Sequence, residues 1–240
     1  MSSRTIPGSV PTRTQAQKNG EPVSVLDFDT TGYANKASGW CYDGTVAATL
    51  DRITGANTRF ASTDVGSLIY VCGAGAASRT YAGTLYSGGL TSYQTNSNDP
   101  NGPETISHGP GAFNHSTTIA SVIDEVTPGS GVFRTAIFAA PVACQPANNG
   151  NAQFAFGVDA GPAFQRAVVS GIAELKIPTG NYIVQGSVNL AQFIAGAWHF
   201  VQRVYAEGTR APQLVFTDDL DAAFKFEGTF LLQGDLAPSH

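Results

Sequence analysis

Two consecutive stretches decide the fold of this chain: FGVDAGPAFQRAV at residues 156–168 and AELKIPTGNYIV at residues 173–184. The first stretch predicts a short helix, because Pro162 suits a first helical position. An N–H there would have no partner within the helix, so proline loses no hydrogen bond by lacking one. Gly161 is the predicted N-cap, and Asp159 places negative charge near the positive end of the helix.

The apolar residues of these stretches follow first a helical and then a strand period. Three of them recur at i, i+3 and i+4 and form one apolar stripe: Phe164, Ala167 and Val168. Leu175 and Ile177 then alternate with charged neighbours, which is the period of a strand. The turn residues 178–181 lead into a second strand at 182–184. The sequence therefore predicts a helix from about residue 162 to residue 170 that feeds a flat β-layer.

Both stretches resemble the entry segment of the pectate-lyase-like, right-handed parallel β-helix proteins, and especially of bacteriophage tailspikes. The shared pattern is a Gly, an acidic cap, an Ala-rich helix with a Phe-Gln core, and a strand that ends in Pro-x-Gly-x-Tyr. The matching residues are Gly157, Asp159, Ala163, Phe164, Gln165, Ala167, Pro178, Gly180 and Tyr182. The second acid of the cap is Ala160 here, and its closing Thr is Gly161. The resemblance implies a fold and a place in a virion rather than a reaction.

The composition predicts a mainly β chain with many turns. Charged residues make up 13% of the 240 residues, about half of the usual share, and 27 residues are glycine. The net charge of −5 argues against a general nucleic-acid binder, and no apolar run is long enough to cross a bilayer. The three cysteines, Cys41, Cys72 and Cys144, lack Cys-x-x-Cys spacing, so neither a disulfide framework nor a zinc site is predicted.

Residues 1–22 are predicted to form an extended arm without a core of its own. Residues 1–20 carry Arg4, Arg13 and Lys18 and no acid. A basic arm ahead of an acidic body suggests a virion-docking segment. Three charges are equally compatible with an ordinary chain terminus.

Residues 23–155 are predicted to form a β-rich anchor domain. Residues 23–28 predict a strand, and they resemble the strand that opens the β-helix proteins, in which the capped helix follows closely. Here the helix comes only near residue 162, so the chain from about residue 29 to residue 155 looks inserted. The string from Phe60 to Ala77 also resembles a module of phage tailspike and tail-fibre N-terminal regions.

The inserted part predicts a small β-sandwich or barrel-like domain. Its predicted strands lie at 44–50, 67–72, 116–123 and 135–138, with a turn at 128–131. Residues 87–113 are rich in Gly, Ser and Asn and predict a long loop suited to a subunit or partner contact. Residues 148–151 predict a hinge into the helix.

Residues 156–240 are predicted to hold the helix, which caps the open end, and the start of the parallel β-helix. Strand-like pieces at 200–204, 213–216 and 223–226 recur at about the spacing of one solenoid coil. Because coils bury their faces on their neighbours, several are needed. Because only two or three coils are present, either the ordered part continues beyond residue 240, which is the favoured interpretation, or this part is only an anchor.

The densest carboxylate cluster lies in this last part and consists of Asp218, Asp219, Asp221 and Glu227. Paired carboxylates on a β-helix face suit glycoside cleavage, one as the acid and one as the base or nucleophile. A turn between strands explains Asp218-Asp219 better. No catalysis is therefore expected within this chain, and Asp219 and Glu227 are the catalytic candidates that remain.

The other motifs predict no site. The histidines at 108, 115, 199 and 240 lack ligand spacing, so no metal and no cofactor is expected. The glycines at 73 and 75 lack the third Gly and the helix of a dinucleotide loop, and a turn is the better interpretation. The aromatic residues at 40, 42, 81, 86, 93 and 198 fit a sugar-stacking platform as well as a core or a subunit contact.

The leading hypothesis, implied by the resemblance, is the virion-proximal part of a phage tailspike or tail fibre. Such a protein is assembled in the bacterial cytoplasm and located in the virion, where it anchors a homotrimer to tail or adaptor proteins. Host surface glycan would then meet distal regions. The alternative is a depolymerase, a polysaccharide lyase or glycoside hydrolase that acts on that glycan. Neither hypothesis involves nucleic acid or membrane insertion.

Overall fold

The computed structural model describes residues 23–76, 78–81, 104–107, 111, 113–186, 188–194, 197–208, 210–217 and 224–225. The chain divides into two compact units. The barrel unit is Cys41–Phe154, and the ladder unit combines Met1–Trp40 with Ala155–His240. Residues 23–40 thus lie with the later part of the chain, whereas the sequence placed them in the anchor domain. The reason is a strand at Val23 that pairs across the insertion.

The described residues are mainly β, as predicted, and contain one α-helix, α1, at Gly161–Val169. The strands in chain order are β1 Val23–Ser24, β2 Cys41–Val46, β3 Arg52–Gly55, β4 Phe60–Ala61, β5 Leu68–Val71, β6 Ser78–Tyr81, β7 Glu104–Ser107, β8 His115–Glu125, β9 Val132–Phe138, β10 Ala152–Gly157, β11 Glu174–Pro178, β12 Asn181–Val184, β13 Val188–Asn189, β14 Ala191–Ile194, β15 Ala197–Phe200, β16 Arg203–Glu207, β17 Gln213–Phe216 and β18 Phe224–Lys225.

The barrel unit contains a closed six-stranded barrel, which agrees with the predicted sandwich or barrel-like domain. Its strands follow the order β3-β2-β10-β5-β8-β9. The ring closes because β9 also pairs antiparallel with β3, with Ile53 opposite Ala136. β4 joins β9 as well, and β6 pairs with β7 as a separate hairpin.

Side chains fill the interior of the barrel. Phe60 and Phe154 stack with their ring centroids 6.2 Å apart, and the fully buried aliphatic residues include Val46, Ile53, Ile69 and Ile119. A Cβ at Gly44 would lie 2.7 Å from Ile53 Cδ1 and 2.9 Å from Phe154 Cδ1. The ring therefore encloses a packed core, as small barrels do.

The ladder unit is built from parallel pairs. β11 pairs with β16, β12 with β17 and β13 with β18, all in parallel. The first pass of the chain, β11, β12 and β13, thus supplies one strand to each of three ladders. The second pass, β16, β17 and β18, supplies the partner strands in the same order. β1 adds to the first ladder, with Val23 opposite Leu175. The short hairpin of β14 and β15 lies between the two passes.

Helix α1 packs against the core of the ladder unit. The predicted stripe is confirmed, since Phe164, Ala167 and Val168 are at most 1% exposed. The Phe164 ring meets the Tyr182 ring edge-on at 5.9 Å and the Phe224 ring at 6.1 Å. A helical stripe and the inward residues of both passes therefore share one core.

Three local expectations need correction. Residues 23–28 are a strand only at Val23–Ser24, and Val25–Phe28 is a 3-10 helix, because Ser24 and Asp27 form a capping box over its first turn. β2 ends at Val46 because a turn begins there, with Leu50 N–H bound to Ala47 O. The piece predicted at 200–204 is split between two strands with different partners, since β15 ends at Phe200 and pairs with β14, whereas β16 begins at Arg203 and pairs with β11.

Other segments agree with the sequence or lie outside the described residues. The strand predicted at 213–216 is β17, and the turn predicted at 128–131 connects β8 to β9. The predicted loop at 87–113 lies outside the described residues except for β7 and residues 111 and 113. The predicted hinge at 148–151 is wrong, because the side chain of Asn149 binds this turn to the backbone of Val46 on β2.

Candidate functional site

The start of helix α1 is the one predicted structural site that the structure describes. Asp159 Oδ1 accepts hydrogen bonds from the N–H of Gly161 at 2.8 Å and from that of Gln185 at 3.0 Å. Ala160 is the N-cap, and Gly161 is the first helical residue instead. Pro162 follows within the first turn. One carboxylate thus joins the helix start to the residue after β12.

The side chain of Gln213 and the backbone carbonyl of Asn181 hold the segment before the insertion on the second ladder. Asn181 and Gln213 are register partners on β12 and β17. Gln213 Oε1 accepts the N–H of Trp40 at 3.1 Å, and Asn181 O accepts that of Ala37 at 3.0 Å. Gly39 is in close contact here, since a Cβ on it would lie 2.6 Å from Gln213 Oε1. These two hydrogen bonds serve the connection between segments of the ladder unit.

The first ladder carries ion pairs on its solvent-facing side. Lys176 Nζ lies 2.5 Å from Glu207 Oε1, and Arg203 lies 3.4 Å from Glu174. Exposed pairs of this kind contribute about 0–1 kcal/mol each. Because each carboxylate faces a cation of the neighbouring strand, this surface is an ion-paired face rather than a pair of carboxylates arranged for glycoside cleavage.

A chain of hydroxyl groups crosses the seam that closes the barrel. Thr135 is fully buried and donates from Oγ1 to Asp124 Oδ2 at 2.7 Å. Thr54 Oγ1 lies 2.8 Å from the same Thr135 oxygen and, since the Thr135 proton is used, acts as the donor. Asp124 has a φ of 61°, a strained value for a non-glycine residue. The chain joins β3, β9 and β8.

Two aspartates organise loops in the same manner, one in each unit. Asp43 accepts from Asn57 N at 2.5 Å and from Thr58 N and Oγ1 at 2.6 Å. Asp29 accepts from Thr31 N and Oγ1 and from Ala34 N. Burial by itself raises the pKa of both carboxyls, but the donated hydrogen bonds outweigh it, and both pKa values lie below the ordinary value. Both carboxylates are therefore ionised loop anchors.

His115 is the described histidine with the most defined surroundings. Its Nε2 lies 3.2 Å from Ala140 O, and its ring centroid is 6.5 Å from that of Phe138. Burial lowers the pKa of this imidazole, partly offset by the contact with Ala140 O. Among the described residues, no group of three His, Cys, Asp or Glu residues could hold a metal ion.

Most predicted site residues lie outside the described part of the chain. These are the arm residues Arg4, Arg13 and Lys18 and the carboxylates Asp218, Asp219, Asp221 and Glu227. The three cysteines form no disulfide and are half-buried, and Gly73 and Gly75 lie in the turn after β5. In the part of the chain that the structure describes, no helix is long and apolar enough to cross a membrane.

Sequence reasoning missed the anchoring roles of Asp29, Asp43 and Asp124. For Asp29 a signal exists, since an Asp two residues before a Thr and three before a Gly is typical of a side-chain-stabilised turn. Asp43 gives no such signal, because its donors lie on the loop after β3. The partner of Asp124 becomes visible only when the strand pairing is known.

Comparison of the chain with protein-family models, with curated proteins and with solved structures finds no match.

Proposed function

We propose that this chain is the virion-proximal part of a phage tailspike or tail fibre, and that its ladder unit begins a right-handed parallel β-helix. The observation that carries the proposal is the repeated pass through three parallel ladders in one order. In a solenoid each coil contacts only its neighbours, so successive passes pair in parallel along every face. A helix whose stripe is buried in the same core then covers the first coil.

The barrel unit fits an anchor inserted near the entry of that solenoid. Its ring removes the free strand edges that would otherwise invite pairing with other chains. The arm of residues 1–22 supplies Arg4, Arg13 and Lys18 for docking on a tail or adaptor protein. Distal regions of the assembly would contact the surface glycan of the host.

We further propose a homotrimer as the working unit. A chain with 13% charged residues presents surface that is easier to explain when part of it is buried between copies. Because three acidic bodies would meet, their contacts should be mainly apolar and only weakly dependent on salt. Mass measurement of residues 1–240 at low and high salt tests this, and a monomer at both salt concentrations contradicts it.

The test of the virion role is immunoelectron microscopy on particles of the phage that encodes the chain, with antibodies raised against residues 41–154. Label at the tail is expected, and particles without label refute the proposal. A variant without residues 1–22 is the matched control, because it should fold and yet be missing from particles. Normal incorporation of that variant contradicts the docking role of the arm alone.

A glycan-release assay separates the structural role from the depolymerase. The proposal expects no release by residues 1–240, so Asp219→Asn and Glu227→Gln have no activity to remove. Release that either substitution abolishes would instead assign catalysis to this segment. Circular dichroism of both variants shows whether an effect comes from loss of the fold.

A further inference from the structure

The turn that precedes β10 contains the dipeptide Asn149-Gly150. In an Asn-Gly pair the backbone nitrogen of the glycine reaches the side-chain amide of the asparagine with little steric hindrance, and such asparagines are chemically labile. Asn149 is exposed, so water has access to it. Its stability in the folded protein therefore depends on the hydrogen bonds that hold it.

Both polar atoms of the Asn149 side chain are bound to one residue of β2. Oδ1 accepts the N–H of Val46 at 2.7 Å, and Nδ2 donates to Val46 O at 3.0 Å. Gln145 Nε2 donates to the same oxygen at 2.9 Å. The amide thus pairs with the end of β2 in the way that a neighbouring strand would, and the Asn149 side chain is fixed in one orientation.

The backbone nitrogen of Gly150, which would attack the Asn149 side chain in this reaction, is held as well. The N–H of Gly150 donates to Gly44 O at 3.1 Å, also on β2, and Gly150 has a φ of 105°. Attack requires this nitrogen to lose its proton and to approach Asn149 Cγ. In the folded barrel both groups must first leave β2, so the reaction needs local opening of the turn.

We propose that Asn149 is a deamidation site that folding closes, and that its conversion prevents this turn from binding β2. The Gly150 nitrogen attacks Asn149 Cγ, an N–Cγ bond forms, and the Cγ–Nδ2 bond breaks. Nδ2 leaves as ammonia with the proton that the Gly150 nitrogen gives up. Water then opens the cyclic imide at either carbonyl, which yields aspartate or isoaspartate and consumes no other reagent.

The product cannot repeat the contacts of the amide. A carboxylate has no donor for Val46 O and places negative charge against that carbonyl oxygen. The isoaspartate form also adds a backbone carbon, which displaces the Gly150 N–H from Gly44 O. A chain that is converted before it folds therefore lacks the pairing of this turn with the end of β2, whereas a folded chain is protected.

The first test follows conversion of the full-length chain by peptide mapping and mass spectrometry at mildly alkaline pH. In denaturant, Asn149 should convert at a rate similar to those of the other Asn-Gly pairs, Asn19-Gly20 and Asn101-Gly102. In native buffer its conversion should be at least about tenfold slower, a factor equivalent to about 1.4 kcal/mol of local opening. Equal rates at Asn149 in native buffer and in denaturant overturn the proposal.

The second test asks whether conversion blocks folding. Chains aged in denaturant are refolded, and the folded fraction is isolated by size and mapped. Chains converted at Asn149 should be depleted from that fraction relative to chains converted at the other two pairs. Equal representation overturns the blocking role.

A variant pair checks the same point without ageing. Asn149→Asp should lower the urea midpoint or abolish folding, and both results support the proposal. Asn151→Asp adds the same charge at an exposed residue of the same turn and should leave the midpoint unchanged. Equal midpoints for wild type and both variants contradict it.

Discussion

In the barrel unit the sheet returns to its own beginning, since β3 pairs with β2 on one edge and with β9 on the other. In the ladder unit the strands pair in parallel with strands from the next pass, and β16 has one described neighbour, β11. The barrel thus satisfies its edges within one ring, whereas the ladders depend on successive passes and on helix α1. Stability in the first unit comes from closure, and in the second from stacking.

This difference predicts how far the effect of a destabilising substitution extends through the molecule. If each unit has its own core, a core substitution in one unit should lower protection from hydrogen exchange in that unit and leave protection in the other unchanged. Among the described residues the two cores share none, since one is built around Phe154 and the other around Phe164.

The largest effect is expected from Phe164→Ala. Its ring is fully buried, so truncation should lower the free energy of unfolding of the ladder unit by about 3–5 kcal/mol. Native-state hydrogen exchange should show the loss in β11, β12 and β17 and unchanged protection in β8 and β9. Phe154→Ala, with an equally buried ring, should give the reverse pattern. Loss of protection in both units from one variant contradicts their independence.

Thr135→Val tests the seam of the barrel. The change keeps the shape of the side chain but leaves Asp124 and Thr54 without their shared partner, at a cost of about 1–3 kcal/mol. Urea unfolding followed by exchange in β3 and β9 measures it. Thr45→Val, at an exposed residue of β2, is the control and should be near neutral. A neutral Thr135→Val would mean that the hydroxyl chain does not stabilise the closure.

The loop anchors offer a smaller, pH-dependent effect. The folded-state pKa of Asp43 lies below its unfolded value, so its contribution to stability is present above about pH 4 and is lost as the pH falls through the folded pKa. The stability difference between wild type and Asp43→Asn should therefore shrink in acid. Asp29→Asn should behave in the same way in the ladder unit. A difference that is constant from pH 7 to pH 3, measured by urea titration, would contradict ionised anchors.

The smallest effect is expected on the ion-paired face of the first ladder. Lys176→Met should change the free energy of unfolding by less than about 1 kcal/mol, because the pair with Glu207 is partly exposed and screened. The effect should decrease further in high salt, as thermal melts at two ionic strengths would show. A large, salt-independent loss would indicate that Lys176 contributes through packing instead.

Local periodicity explains what the sequence could predict. The stripe of Phe164 and Val168 and the strand at β17 depend on neighbouring residues only, and both are as expected. The alternating apolar residues of 23–28 suggested a strand, but the Ser24–Asp27 capping box, also local, had the stronger influence. It could have been recognised from the spacing of Ser and Asp.

Long-range partners explain what the sequence could not predict. Asn149 suggested a hinge because Asn and Gly favour flexible turns, yet its side chain is fixed by Val46, far away in the chain. The same holds for Asp43, whose donors come from a loop beyond β3. Such contacts become visible only when the strand order is known. The spacing of polar residues in the sequence does not identify the residues that they bind.

The pairing of β1 with β11 determines how a pulling force would travel through the molecule. Val23 lies opposite Leu175, and Val23 and Val25 are at most 1% exposed, so the first described residues are held directly by the ladder core. Tension applied to the chain before Val23 would act first on the pairing of Val23–Ser24 with β11. The force would enter the ladder unit at once, and the polypeptide of the barrel, although it comes next in the chain, would not need to carry it.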